Sequence, residues 1–144
     1  MRFCLRSARC PEGLTTIVSR PTTMHDKTTS IEYIAAKFPH LGEELHNNTW
    51  EGLLHLQMGV FSHWAQDSID AGDREAWRQI TEVFIELWRD SSPDVINALN
   101  VSFLEHLDFT DDKEHRSWAY KAMPREMQKA WDEMEAYNRK LHGD

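Results

Sequence analysis

The stretch DREAWRQITEVFIELWRD, Asp73 to Asp90, decides the fold. Trp77, Ile80, Phe84 and Leu87 recur at steps of three and four, with Trp88 beside the last, a spacing that stacks side chains along one face of a helix. Asp73 stands where a helix N-cap belongs, so a helix is predicted from Asp73 to about Asp90. Reading upstream, Thr49 is expected to cap a long helix carrying Trp50, Leu53, Leu54, Phe61 and Trp64. That helix closes near Ala71-Gly72, because glycine accepts the left-handed conformation of a C-cap. Before it, Ser30 is expected to cap a helix through Lys37 with Ile31, Ile34 and Ala35 inward. Phe38-Pro39 ends that helix, since a residue before proline avoids the α region. A short helix is predicted from Leu41 to Asn47.

Downstream, Ser92-Pro93-Asp94 is a start signal: a capping residue, a proline in the first turn, and an acid at the positive helix end. Val95, Ile96, Leu99, Phe103 and Leu107 follow at helical spacing. Thr110-Asp111-Asp112 breaks that helix and opens another with Trp118, Tyr120, Ala122 and Met123. Pro124 interrupts, and a last helix carries Met127, Trp131, Met134, Tyr137 and Leu141. Strand signals are missing: no clean alternation extends over five residues and no Asn-Gly or Asp-Gly hairpin turn occurs. The expectation is an all-α chain, an antiparallel helical bundle of five or six helices joined by short loops. It forms a single helical domain over residues 30–144. No repeat of solenoid length is present.

Residues 1–29 read differently. They hold Pro11, Gly13, Pro21 and scattered Ser and Thr, with neither a helical nor a strand period. They lack the apolar centre of roughly 7–15 residues that marks a secretory signal. Arg content and a shortage of acids give a superficial likeness to an organelle transit peptide. The simpler expectation is a disordered or leader segment, with Met24 as an alternative start.

Of the 144 residues, 40% are hydrophobic and 28% charged, and six Trp and six Phe are present. Such a chain buries enough surface to fold without metal or disulfide, and is too rich in large apolar groups for wholesale disorder. No apolar run approaches the roughly 18 residues of a membrane span. Charge is unevenly placed. Residues 1–30 carry Arg2, Arg6, Arg9, Arg20 and Lys27 against Glu12 and Asp26, a net of +3, while residues 31–144 carry 11 basic and 22 acidic residues, a net of −11. A body at −11 repels phosphate backbones, so nucleic acid is not expected as a partner, whereas a basic protein would be attracted and its encounter speeded. Cys4 and Cys10 both lie in the tail; a body without cysteine suits a reducing cytoplasm and rules out a thiol nucleophile there.

Catalytic patterns do not emerge. Ser62-His63 and Ser117 lie in no Gly-x-Ser-x-Gly elbow, and Gly42, Gly52, Gly59 and Gly72 form no phosphate loop. A metal site is the alternative. Glu43 and His46 form one Glu-x-x-His pair, Glu51 and His55 lie four apart, and His63, Asp112, His115, Glu82 and Glu86 could add ligands. A helical metal-binding protein or metal-dependent enzyme would use Glu43, His46, Glu51 and His55. His106, between Phe103 and Leu107, is expected to be partly buried and hydrogen-bonded. The primary expectation is no catalytic residue, no metal and no cofactor.

Binding is the positive expectation. Glu105, Asp108, Asp111, Asp112 and Glu114 place five acids within ten residues around a predicted loop. Capping accounts for one or two of them; the rest could receive Lys or Arg of a partner. Trp50 and Trp118 near helix starts are the candidate aromatic anchors, Trp being enriched at binding hot spots. A second copy of the chain, burying surplus Trp surface in a homodimer, is a further alternative.

Three segments carry a resemblance: FPHLGEEL (Phe38–Leu45), VSFLEHLDF (Val101–Phe109) and MPREMQKAWDEM (Met123–Met134). Over about Phe38 to Trp131 the chain resembles a family of small bacterial all-helical proteins of unknown function. It is also similar to small acidic immunity proteins that accompany secreted toxins. Together with the missing catalytic motifs and the acidic body, the resemblance implies a non-enzymatic protein that neutralises a toxin by direct binding, and it carries no catalytic residue onto this chain.

Overall fold

The computed structural model describes residues 24–111 and 115–141. Asp26 opens the first helix, α1 (Lys27–Lys37). Its carboxylate accepts from the backbone N–H of Thr28 and Thr29 at 3.0 and 2.8 Å, and the Thr29 hydroxyl accepts from the Asp26 N–H in return. The start therefore lies upstream of the expected cap at Ser30, which is buried and donates its hydroxyl to the Lys27 carbonyl. His25 ties this end to the rest of the molecule. Its N–H donates to the Asp90 carbonyl at 2.9 Å, its carbonyl accepts from Ser92 at 2.8 Å, and it forms an isolated parallel bridge with Ser91. Residues 24–29, expected in the tail, thus belong to the helical domain. The expectations for residues 1–23 lie outside the described residues.

Phe38 ends α1, a tight turn at Pro39–Leu41 follows, and α2 is only Gly42–Leu45. The long helix α3 (Leu54–Asp70) starts later than Thr49 placed it. Three local features hold the chain in a turn until then. The Asn47 side chain accepts from the Thr49 N–H at 2.8 Å, the Trp50 indole donates to the Glu44 carbonyl at 2.7 Å, and Gly52 sits at φ 84°. Gly72, at φ 69°, closes α3 as expected. Asp73 then caps α4 (Arg74–Arg89), accepting from the Ala76 N–H at 3.1 Å.

The helix expected from Ser92 through Leu107 is broken. After α5 (Pro93–Ala98) the chain widens into a π turn at Leu99–Phe103 and tightens into a 3-10 turn at Leu104–His106. Phe103 and Leu104, consecutive residues where the two turns meet, are both fully buried. The Ser62 hydroxyl donates to the Phe103 carbonyl at 3.2 Å, tying α3 to the point where the two turns meet. Two further helices, α6 (Ser117–Ala122) and α7 (Arg125–Leu141), complete the described residues. Among the described residues seven α-helices stand, one for each segment read from the sequence, where the bundle was expected to hold five or six. Among the described residues there is no sheet, and no helix is long and apolar enough to cross a membrane.

The core is a run of aromatic contacts. Phe103 stacks on Phe61 at 4.7 Å and on Phe84 at 5.6 Å, and Phe38 and Trp88 extend the run at 6.0 and 5.2 Å. Phe61, Phe84 and Phe103 are fully buried, each contributing roughly 1.5–3 kcal/mol by leaving water. Trp77 of the deciding stretch is also buried. Its indole N–H donates to the Ala119 carbonyl at 2.9 Å and so fixes α6 on α4.

Candidate functional site

The segment after the 3-10 turn runs extended, with Leu107 and Phe109 buried and Asp108 and Thr110 exposed, the alternation that extended backbone imposes. Gln66 of α3 clamps it. Its amide donates to the Asp108 carbonyl at 3.1 Å and accepts from the Asp108 N–H at 2.9 Å. Arg116 makes a second clamp, donating to both oxygens of Asp70 at 2.7 and 3.3 Å and to Asp108 at 3.0 Å. That guanidinium holds the Asp70 carboxyl below its ordinary range. Asp108 is lowered first by the hydroxyl and N–H of Thr110, with Arg116 adding to the effect.

Asp111 caps α6 from a distance. It accepts from the N–H groups of Ser117 and Arg116 at 2.9 and 2.7 Å and from the Ser117 hydroxyl at 2.8 Å. Those donors, Ser117's first, lower its pKa to about 2. Glu105 turns elsewhere and accepts from the Asn138 amide of α7 at 2.7 Å. Trp118 donates its indole N–H to the His115 carbonyl at 3.1 Å, and the Arg74 guanidinium covers its ring at 4.5 Å. The structure thus brings Asp108 and Asp111 together around Arg116, while Glu105 and Trp118 lie apart with their own contacts. Asp112 and Glu114 lie outside the described residues.

Beside Asp108 opens a groove of about 400 Å³ between the 107–111 segment, α6 and α7. Its floor is Leu107 with three aromatic rings, Phe109, Tyr120 and Trp131, set edge to face at centroid distances of 5.3, 5.7 and 5.9 Å. Its rim carries Asp108, Asp132 and Glu135, with Lys121 as a basic group. The Tyr120 hydroxyl donates to both oxygens of Asp132, at 2.8 and 3.0 Å, a bond to the carboxylate that raises the phenol's pKa. The Trp131 indole nitrogen is buried without a hydrogen-bond partner.

The model of a family described as a domain of unknown function, DUF7674, matches residues 31–139. The chain belongs to that family. No curated protein and no solved structure matches the chain. The groove and its clamps fall within the DUF7674 region. So do the residues considered for a metal, but the DUF7674 fold does not unite them. The His46 Nδ1 bonds to Glu51 at 2.9 Å, whereas His55 Nδ1 lies 2.6 Å from the Ser102 hydroxyl in the π turn. Among the described residues His63 pairs with Asp67 alone, at 3.7 Å. Among the described residues, no three His, Cys, Asp or Glu are grouped to hold an ion. His106 is exposed rather than partly buried, because the 3-10 turn carries it out of the apolar stripe. Trp50 is half-buried, its indole spent on the Glu44 carbonyl.

Sequence reading missed Phe109, Tyr120, Trp131 and Asp132 as one site. Trp131 and Tyr120 look like ordinary stripe residues and Asp132-Glu133 like a solvated face. The signal was present only in the spacing of Trp131, Asp132 and Glu135 on α7, where positions 132 and 135 share a face.

Proposed function

We propose that the chain is a non-enzymatic protein-binding module that docks a basic protein, in its most concrete form an immunity-type protein neutralising a bacterial toxin by covering its working surface in the cytoplasm. The observation that carries this reading is the groove: an aromatic floor under a carboxylate rim on a body of net charge −11. Aromatic side chains supply desolvated contact area, and an acidic surround steers a basic partner to it. The scaffold proposed for this surface is an antiparallel bundle, supported by the short connection between α3 and α4 at Ala71–Asp73. The acids chosen from sequence have a changed role in this reading. Asp111 and Asp70 hold the groove wall in place, and Asp132 and Glu135 face the partner beside Asp108.

The test is capture of a partner by the full chain and by an Asp132→Lys, Glu135→Lys double variant, followed by co-expression with the captured protein. The expected result is one stoichiometric basic protein held by the wild type, lost by the variant, and toxic to cells unless the wild-type chain is present. Equal capture by both chains overturns the docking surface. Absence of toxicity overturns the immunity form.

A further inference from the structure

We infer that the groove between the 107–111 segment and α7 receives a single long basic side chain, lysine or arginine, from an extended segment of the partner. This rests on the binding-module reading and adds what enters the site.

The geometry first excludes one mode. Rings that enclose a cation on several sides must stand apart to admit it. Phe109, Tyr120 and Trp131 lie 5.3–5.9 Å from one another, already in contact, so no cation fits between them. They form a floor, and an occupant lies across it. Lysine and arginine combine an apolar stem, which such a floor can cover, with a charged head that must stay solvated or paired. The floor ends at Asp132 and Glu135, one helical turn apart on α7. Asp132 already accepts the Tyr120 hydroxyl, which orients the carboxylate and leaves lone pairs free for a further donor. Among the described residues Glu135 has a single, long ion pair, to the exposed Arg139 at 3.9 Å. Asp108, at the far edge, is held by Thr110 and Arg116 and is the least available. Lys121 opposes a second cation near the α6 side, which directs the head toward α7. An acidic side chain in the groove would face Asp132 and Glu135, and an apolar one would leave them without a counter-charge. Charge complementarity therefore selects a basic occupant.

The probe is octalysine, titrated into isotopically labelled full-length chain and followed by NMR, with fully acetylated octalysine as the charge-free control. Saturating shifts are expected at the backbone amides of Phe109, Tyr120, Trp131, Asp132 and Glu135, with no response to the acetylated peptide. Glu135→Lys, which leaves the Tyr120–Asp132 bond intact, is expected to weaken binding about tenfold or more. Glu43→Lys on α2, the same charge change away from the groove, is expected to weaken it about threefold or less, the part owed to net charge. Equal losses in the two variants, shifts spread over the whole acidic surface, or no binding would each overturn the inference. The two proposals fail separately. A basic partner still captured by Glu135→Lys removes the groove assignment and keeps a binding module. Octalysine held in the groove of a chain that captures no protein removes the module.

Discussion

Helix α4 and the connector from Leu99 to Arg116 both feed buried aromatic rings into one core, yet they are held by different forces. In α4, Trp77, Ile80, Phe84 and Leu87 are buried at helical spacing, and the Asp73 cap lies at its own start. Every determinant of the helix itself is a few residues from the next, and its distant bonds, Trp77 to Ala119 and Arg89 to Glu126, hold other elements against it. The connector is fixed by bonds to distant residues: Ser102 to His55 across 47 positions, Phe103 to Ser62 across 41, Asp108 to Gln66 across 42 and Arg116 to Asp70 across 46. Apolar periodicity is local chemistry, whereas polar wiring is tertiary. The candidate site is built on the second kind, so its rigidity depends on bonds that can be removed one at a time.

The strongest way to break the contrast is at Phe103, which belongs to the connector in sequence and to the core by burial. Phe103→Ala is expected to cost about 3–5 kcal/mol in urea unfolding, as large as Phe84→Ala in α4. A loss of less than about 1.5 kcal/mol would show that the π turn relaxes around the cavity. Next is Arg116→Met. Its side chain is 20% exposed and that of Asp70 is 28% exposed, so water offsets much of the loss. A decrease of about 1–2 kcal/mol is expected. Faster amide exchange should be confined to residues 107–111 and 115–118, leaving α4 unchanged. Ser102→Ala removes one hydroxyl from the half-buried bond to His55 and should cost about 0.5–1.5 kcal/mol by the same unfolding assay.

Acid gives the finest separation of the two regions. Asp70, Asp108 and Asp111 are each held below the ordinary value of 3.8 in the folded chain, Asp111 at about 2. On acidification the unfolded chain takes up these protons first. The stabilisation is therefore complete above about pH 4 and declines as pH falls toward 2. Chemical shifts of the 107–111 segment and of the start of α6 are expected to change in that window before those of α4. Simultaneous change would place the carboxylates in the global unfolding step alone.

The same contrast explains what could be read from residues in advance. The stripe of Asp73–Asp90, the glycine at position 72 and the proline at position 93 report their conformations locally, and the helix, the helix end and the helix start that they mark are found. Thr49 misled because Gly52 and the Trp50 indole, acting together, keep the chain in a turn until Leu54. Asp111 is a capping residue as its type suggests, but five residues ahead of Arg116 rather than beside the helix it caps. The acidic run was visible as charge. That Arg116 would gather Asp70 and Asp108 was not, since Asp70 lies on another helix. Trp131 and Asp132 became a site only when α7 packed beside the clamped segment.

Amide hydrogen exchange of the full chain, free and bound to the basic protein that the capture experiment is expected to yield, tests the central claim most directly. Slowed exchange at residues 107–111, 117–121 and 131–135, with the exposed face of α4 unaffected, is the predicted result. Unaltered exchange in those three segments, with slowing on α1 or α4 instead, would contradict it.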